Sequence, residues 1–200
     1  MSDDATRLRA ALIAFLLIAG CVSPVKKPAS DTAQAGADRA VLADSVVTNW
    51  QPQSRTAARV LIERYGVPDE IRPDAISWKA NGQWTRTVVR EITPPYVQSD
   101  DLGVIEQSVA YPQNLTNDEI IALADFDRHI SYDRTSGELR ARSDREEINY
   151  LRLNLANEIV AKRVTPRMAA ALYSEALRLE EAGKTSPYLL RLRFGREPQL

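Results

Sequence analysis

Cys21 is the only cysteine in 200 residues. No disulfide can close within the chain, so whatever folds must be held by apolar burial and hydrogen bonding alone. The roughly 150 residues that follow the first fifty are enough for a self-supporting core. The cysteine also ends an uncharged run over residues 10–19, preceded by Arg7 and Arg9. That run is about half the ~20 apolar residues a spanning helix needs, so residues 1–20 read as a signal peptide and take no part in the fold.

The run closes in Leu17-Ile18-Ala19-Gly20-Cys21, which resembles the lipobox read by lipoprotein signal peptidase. The resemblance implies cleavage before Cys21 and attachment of diacylglycerol and palmitate there, which makes lipid on Cys21 the link to a membrane. Each buried methylene contributes about 0.8 kcal/mol, so a multiply acylated terminus holds where one chain would not. Val22, rather than Asp, follows the cysteine. By analogy with lipoprotein sorting this implies the outer membrane, facing the periplasm, with the inner membrane left open. The 26 Lys and Arg residues nearly balance 27 Asp and Glu, a composition that excludes a general nucleic-acid binder.

Residues 22–45 are mostly Ala, Ser, Pro, Asp, Lys and Gln. So few bulky apolar groups cannot offset the entropy of ordering them, so residues 21–48 are expected to form a lipidated, flexible tether, with at most a transient helix over 37–46. Residues 49–200 are expected to form one domain. Ala58, Leu61, Ile62 and Tyr65 lie at helical spacing, and Gly66 and Pro68 supply the stop. Residues 75–80 and 83–92 read as strands about Asn81-Gly82, a type I′ hairpin signal that places Trp78 and Trp84 as a cross-strand pair. A third strand is expected over 104–111, a capped helix from Thr116, and a second hairpin over 129–133 and 138–142. Ser143-Asp144-Arg145-Glu146 reads as a capping box opening a long helix to about 163. A last helix starts at Thr165-Pro166, runs to Gly183 and buries Met168, Leu172, Ala176 and Leu179. The tail over 187–194 is apolar enough to lie back on the domain. Clustered hairpins without alternating βαβ units give an α+β fold, a small antiparallel sheet packed against two long C-terminal helices.

The stretch Tyr65-Gly66-Val67-Pro68-Asp69, closing a helix and leading into a Trp-bearing hairpin over residues 62–84, is similar in outline to small outer-membrane lipoproteins of the SmpA/BamE type. It covers only a short part of the chain after Cys21, and the second hairpin and two long helices depart from that pattern, so an assembly role does not carry over. Arg134-Thr135-Ser136-Gly137-Glu138-Leu139, with residues 151–159, resembles part of an uncharacterised family of bacterial lipoproteins. That resemblance implies a location and no activity.

His129 is the sole histidine, which excludes multi-histidine metal sites. Neither a Gly-x-Ser-x-Gly elbow nor a Gly-rich phosphate loop is present. No cofactor or metal is expected, and Asp100-Asp101 reads as a solvated turn. Five arginines, Arg134, Arg140, Arg142, Arg145 and Arg152, span the second hairpin and the start of the long helix. They form either a surface ion-pair network or a face for anions or peptides, since guanidinium forks suit carboxylate and phosphate. Asn149, Asn154 and Asn157 in that helix are expected to bind loop backbone. The expectation is a non-enzymatic binding or scaffold domain contacting another envelope protein. The alternative is an envelope enzyme or small-anion binder using Asp125, Asp127, His129 and the arginines.

Overall fold

The computed structural model describes residues 29–92 and 103–195. Helices α1 (Ala29–Thr48) and α2 (Pro52–Tyr65) precede strands β1 (Glu70–Arg72), β2 (Ala75–Lys79), β3 (Arg86–Arg90) and β4 (Ile105–Ala110). Helix α3 (Asn117–Phe126), strands β5 (Ile130–Asp133) and β6 (Glu138–Ser143), and helices α4 (Glu146–Val160) and α5 (Pro166–Glu181) follow. All pairings are antiparallel, in the order β1-β2-β3-β4-β6-β5, so the α+β class holds. Strand β1 was not foreseen, because three residues are too few to show alternation. The expected Asp100-Asp101 turn lies outside the described residues.

The sheet is one-sided. Ile76, Val89 and Ile105 oppose one another across the ladders, as do Val109 with Leu139 and Ile130 with Ala141. Successive residues alternate between faces, so these positions all point to one side. Both apolar clusters draw their strand residues from that side alone. One cluster joins α2 and the end of α1 to β2–β4 through Val47, Trp50, Ala58 and Leu61. The other joins α3, α4 and α5 to β4–β6 through Leu123, Leu151, Leu155 and Ala169. The opposite side carries Glu70, Lys79, Arg86, Arg90, Glu106, Arg140 and Arg142 around the buried Ala75, Ser77, Val88 and Ser108.

The folded body begins earlier than residue 49. Ala43 and Val47, one turn apart in α1, are 2% and 0% exposed, and the Arg39 guanidinium donates to the carbonyls of Pro68 and Asp69 at 2.5 and 2.7 Å. Two small apolar residues at i, i+4 suffice to dock a helix whose composition otherwise reads as tether.

Asn81 and Gly82 do turn the chain, but not as a two-residue hairpin. Lys79 pairs with Arg86, and a further bond joins Ala80 N–H to Thr85 O at 3.0 Å, leaving a four-residue loop closed by Trp84 N–H on Asn81 O at 3.2 Å. Trp78 therefore faces Thr87, and the expected Trp78–Trp84 pair does not form. All three tryptophans are buried. Gly82 sits at φ +63 with its Cβ position 3.8 Å from the Tyr65 ring. Space is not the obstacle there; conformation is. Gly82→Val should lower stability by about 1–3 kcal/mol, read as a shifted urea midpoint, because a β-branched residue resists positive φ. An unshifted midpoint would contradict the loop geometry.

Thr116 closes its capping box with Glu119 as expected. The second box does not form. Ser143 belongs to β6, its hydroxyl donates to Arg145 O at 2.6 Å, and Arg145 occupies the N-cap of α4 without a side-chain cap. Glu146 turns inward instead. In α5 the expected stripe holds in part: Ala176 is buried and Leu179 half-buried, but Met168 and Leu172 are 53% and 43% exposed, and Ala169 is buried instead, with Tyr173 and Leu177 packed partly. Small residues let α5 approach α3 and α4 closely, which the larger side chains would prevent.

Candidate functional site

The five arginines do not converge. Arg134 donates to Asn117 Oδ1 across the hairpin end. Arg140 pairs with Asp133 at 2.6 Å and Glu138 at 3.3 Å on the outer side of the sheet. Arg142 is exposed on that same side. Arg145 makes a two-pronged bond to Glu180 of α5, at 2.8 and 2.6 Å. Arg152 lies beneath the helices, its side chain 4% exposed. The sequence gives their spacing along β6 and α4, whereas the parity of the strand sends Arg140 and Arg142 away from the helix that carries Arg152.

Arg152 does meet two of the other candidates. Its Nε donates to Asp127 Oδ2 at 2.7 Å, and Asp127 Oδ1 lies 2.8 Å from His129 Nδ1. A second guanidinium nitrogen lies 3.4 Å from the same His129 nitrogen, a third donates to Arg142 O, and the guanidinium sits 5.8 Å from the centre of the Tyr173 ring. Burial pushes the Asp127 carboxyl upward, but the His129 backbone N–H and the Arg152 charge outweigh it and hold it below the usual carboxylate range. Asp127 caps α3, His129 opens β5 and Arg152 rides on α4, so the cluster ties three elements at one point. Asp125 is exposed and stands outside it.

A second buried network was missed. Glu146, 2% exposed, accepts from Trp84 Nε1 and Gln107 Nε2, both at 2.6 Å, and from the Tyr65 hydroxyl on the same oxygen, while Arg64 pairs with its other oxygen. Gln107 continues to Thr87 and accepts from Asn149 Nδ2 at 3.0 Å; Thr87 accepts from Asn81. This polar seam runs between the two apolar clusters. Beside it, a cavity of about 500 Å³ opens between α2 and the start of α4, with Val60, Leu61 and Ile105 in its wall and Arg64 and Glu147 among its charged lining. The signal in the sequence was a glutamate at the start of a helix, which reads first as a cap.

Of the three asparagines expected to bind loop backbone, only Asn154 does so; Asn149 and Asn157 find a strand carbonyl and side-chain partners instead. Asn149 also donates to Ile105 O at 3.3 Å, and Asn157 accepts from the Tyr111 hydroxyl at 2.9 Å. Burial, with Glu119 nearby, pushes that hydroxyl up to about 12. Asn154 holds the C-terminal segment, donating to Tyr188 O and Arg191 O and accepting from Arg193 N–H. Among the described residues, no group of three or more His, Cys, Asp or Glu side chains is placed to hold a metal, and no helix is long and apolar enough to cross a membrane. Comparison with known protein families, curated proteins and solved structures finds no match to this chain.

Proposed function

We propose that this chain is a lipid-anchored envelope protein whose domain binds another envelope protein rather than catalysing a reaction. The observation that carries the binding reading is the outer side of the sheet. Its charges fall in rows across the strands: Lys79, Arg86 and Arg140 in one, with Ser108 between the arginines, and Glu70, Glu106 and Arg142 in the next, with Ser77 and Val88 between the glutamates. Lys79 and Arg86 reach Glu70, and Arg90 reaches Glu106, which arranges exposed ion pairs over a broad polar surface. Such pairs add little stability, which leaves complementarity to a charged partner as what they contribute. The small-anion alternative needs uncommitted arginines, yet Arg140, Arg145 and Arg152 each serve a carboxylate of the chain itself. The lipobox resemblance supports the anchor, Val22 supports outer-membrane sorting, and the SmpA/BamE-like outline of residues 62–84 agrees with both.

A photocrosslinking amino acid at Arg86 or Arg142, in intact envelopes, tests the binding half. A discrete adduct from both positions and none from Arg59 on α2 is the expected result; equal adducts from all three, or none, would sink it. Cys21→Ser tests the anchor separately. The variant should move from the detergent phase to the aqueous phase on partitioning, and unchanged partitioning would refute lipid attachment.

A further inference from the structure

The C-terminal segment is held in an unusual way. Beyond α5 the chain passes through Ala182, Gly183, Lys184 and Thr185, all exposed, and makes a single 3-10 turn at Pro187–Leu189. Residues 187–195 then lie along α4 with Leu189 and Leu192 each 3% exposed and Phe194 edge-on to Tyr111, ring centres 5.4 Å apart. Leu190 between them is 64% exposed. Two side-chain amides grip the backbone of this segment. Gln83, in the loop between β2 and β3, donates to Leu192 O at 3.1 Å and accepts from Leu192 N–H at 3.0 Å. Asn154 donates to Tyr188 O at 3.0 Å and Arg191 O at 2.8 Å and accepts from Arg193 N–H at 2.7 Å.

An amide side chain that both donates to and accepts from a peptide backbone reads main chain without reading sequence. Apolar seats for alternate side chains supply the selectivity, which is the division of labour of peptide-recognition grooves. We propose that the channel between α4 and the Gln83 loop is a peptide-binding groove occupied by the chain's own tail. A partner's non-helical segment with apolar residues at positions one, four and six, matching Leu189, Leu192 and Phe194, displaces it. The exposed connection after α5 lets the tail leave without unpacking the helix. This reading stands apart from the anchor and from the outer side of the sheet, so either can fail alone.

The test uses the full chain carrying Leu189→Ala, Leu192→Ala and Phe194→Ala, which weakens the resident tail and leaves Gln83 and Asn154 in place. The probe is a fluorescein-labelled synthetic peptide of residues 187–195, followed by anisotropy. Because a resident tail reduces the competent fraction, the peptide should bind the weakened chain about tenfold or more tighter than the native one. Adding Gln83→Ala should abolish the gain. Absence of binding to a weakened chain that still melts cooperatively overturns the proposal. Should the triple variant fail to fold, amide hydrogen exchange on the native chain decides: Leu192 and Arg193 N–H exchanging well before the amides of α4 supports a releasable tail, and exchange only with global unfolding overturns it.

Discussion

Glu146→Ala is expected to cost about 2–5 kcal/mol of folding stability, because it leaves buried hydrogen-bond donors without their acceptor. Three donors, from Tyr65, Trp84 and Gln107, converge on one carboxylate oxygen, and Arg64 takes the other. Alanine leaves these donors without an acceptor: Arg64, 41% exposed in its side chain, and the half-buried Tyr65 can turn to water, whereas Trp84 and Gln107 are buried. A buried donor without its acceptor loses the full desolvation free energy, about 1–3 kcal/mol for each. Trp84 is also stacked on Tyr150, ring centres 4.9 Å apart, so its emission reports the change directly. Urea denaturation followed by tryptophan fluorescence and far-UV circular dichroism gives the number. A loss below about 1 kcal/mol would mean that the seam relaxes around the gap and contributes little to specificity.

Arg152→Ala should be comparably damaging, about 3–5 kcal/mol, since it strands the Asp127 carboxylate at 14% side-chain exposure. The pH dependence separates this from simple loss of packing. Asp127 is held below its ordinary value in the folded protein, so its stabilising contribution is complete above the unfolded carboxylate value. That contribution fades as pH falls through the lower folded value. In the variant the guanidinium no longer opposes burial, the folded value rises, and this acid-side slope should flatten or reverse. Denaturation midpoints between pH 6 and pH 3, native against variant, show it. Parallel curves would show that Arg152 acts through its stem and its contact with Tyr173 rather than through charge.

Several elements were legible because local chemistry decides them. Thr116 and Thr165 cap helices with their own hydroxyls, and period-two patterns mark β4 and β6. Errors arose where a local signal competed with a distant partner. Glu146 has the right residue type for a cap, but Trp84 and Gln107, far away in sequence, provide a better site for it. Gly82 supplies positive φ, as does Ala80 before it, yet the register is set by the pairing of Lys79 with Arg86, which moves Trp84 into the loop. Met168 and Leu172 look like part of the buried stripe with Ala176 until the close approach of α5 selects Ala169 in their place. For the candidate site, the approach of Asp127, His129 and Arg152 was partly visible as nearby charges. Asn154 was expected to bind backbone, but the sequence does not name the tail as its partner, and Gln83 on Leu192 gave no signal at all.

The strand order has a consequence for how the chain assembles. Strands β1 to β4 form one meander of near neighbours, and β5 and β6 form a separate hairpin; only the ladder from Ile105–Ser143 to Ala110–Glu138 stitches the halves. Among the strand pairings loop closure penalises that ladder most, so it is expected to form last in the sheet. Until β6 arrives, β4 is an outermost strand with unpaired main chain, presenting Gln107 and Ser108 to whatever is nearby. At high concentration the strand that arrives first can come from another molecule. Exchange of the C-terminal half between two molecules, pivoting after Ala110, is then the misassembly expected of this strand order.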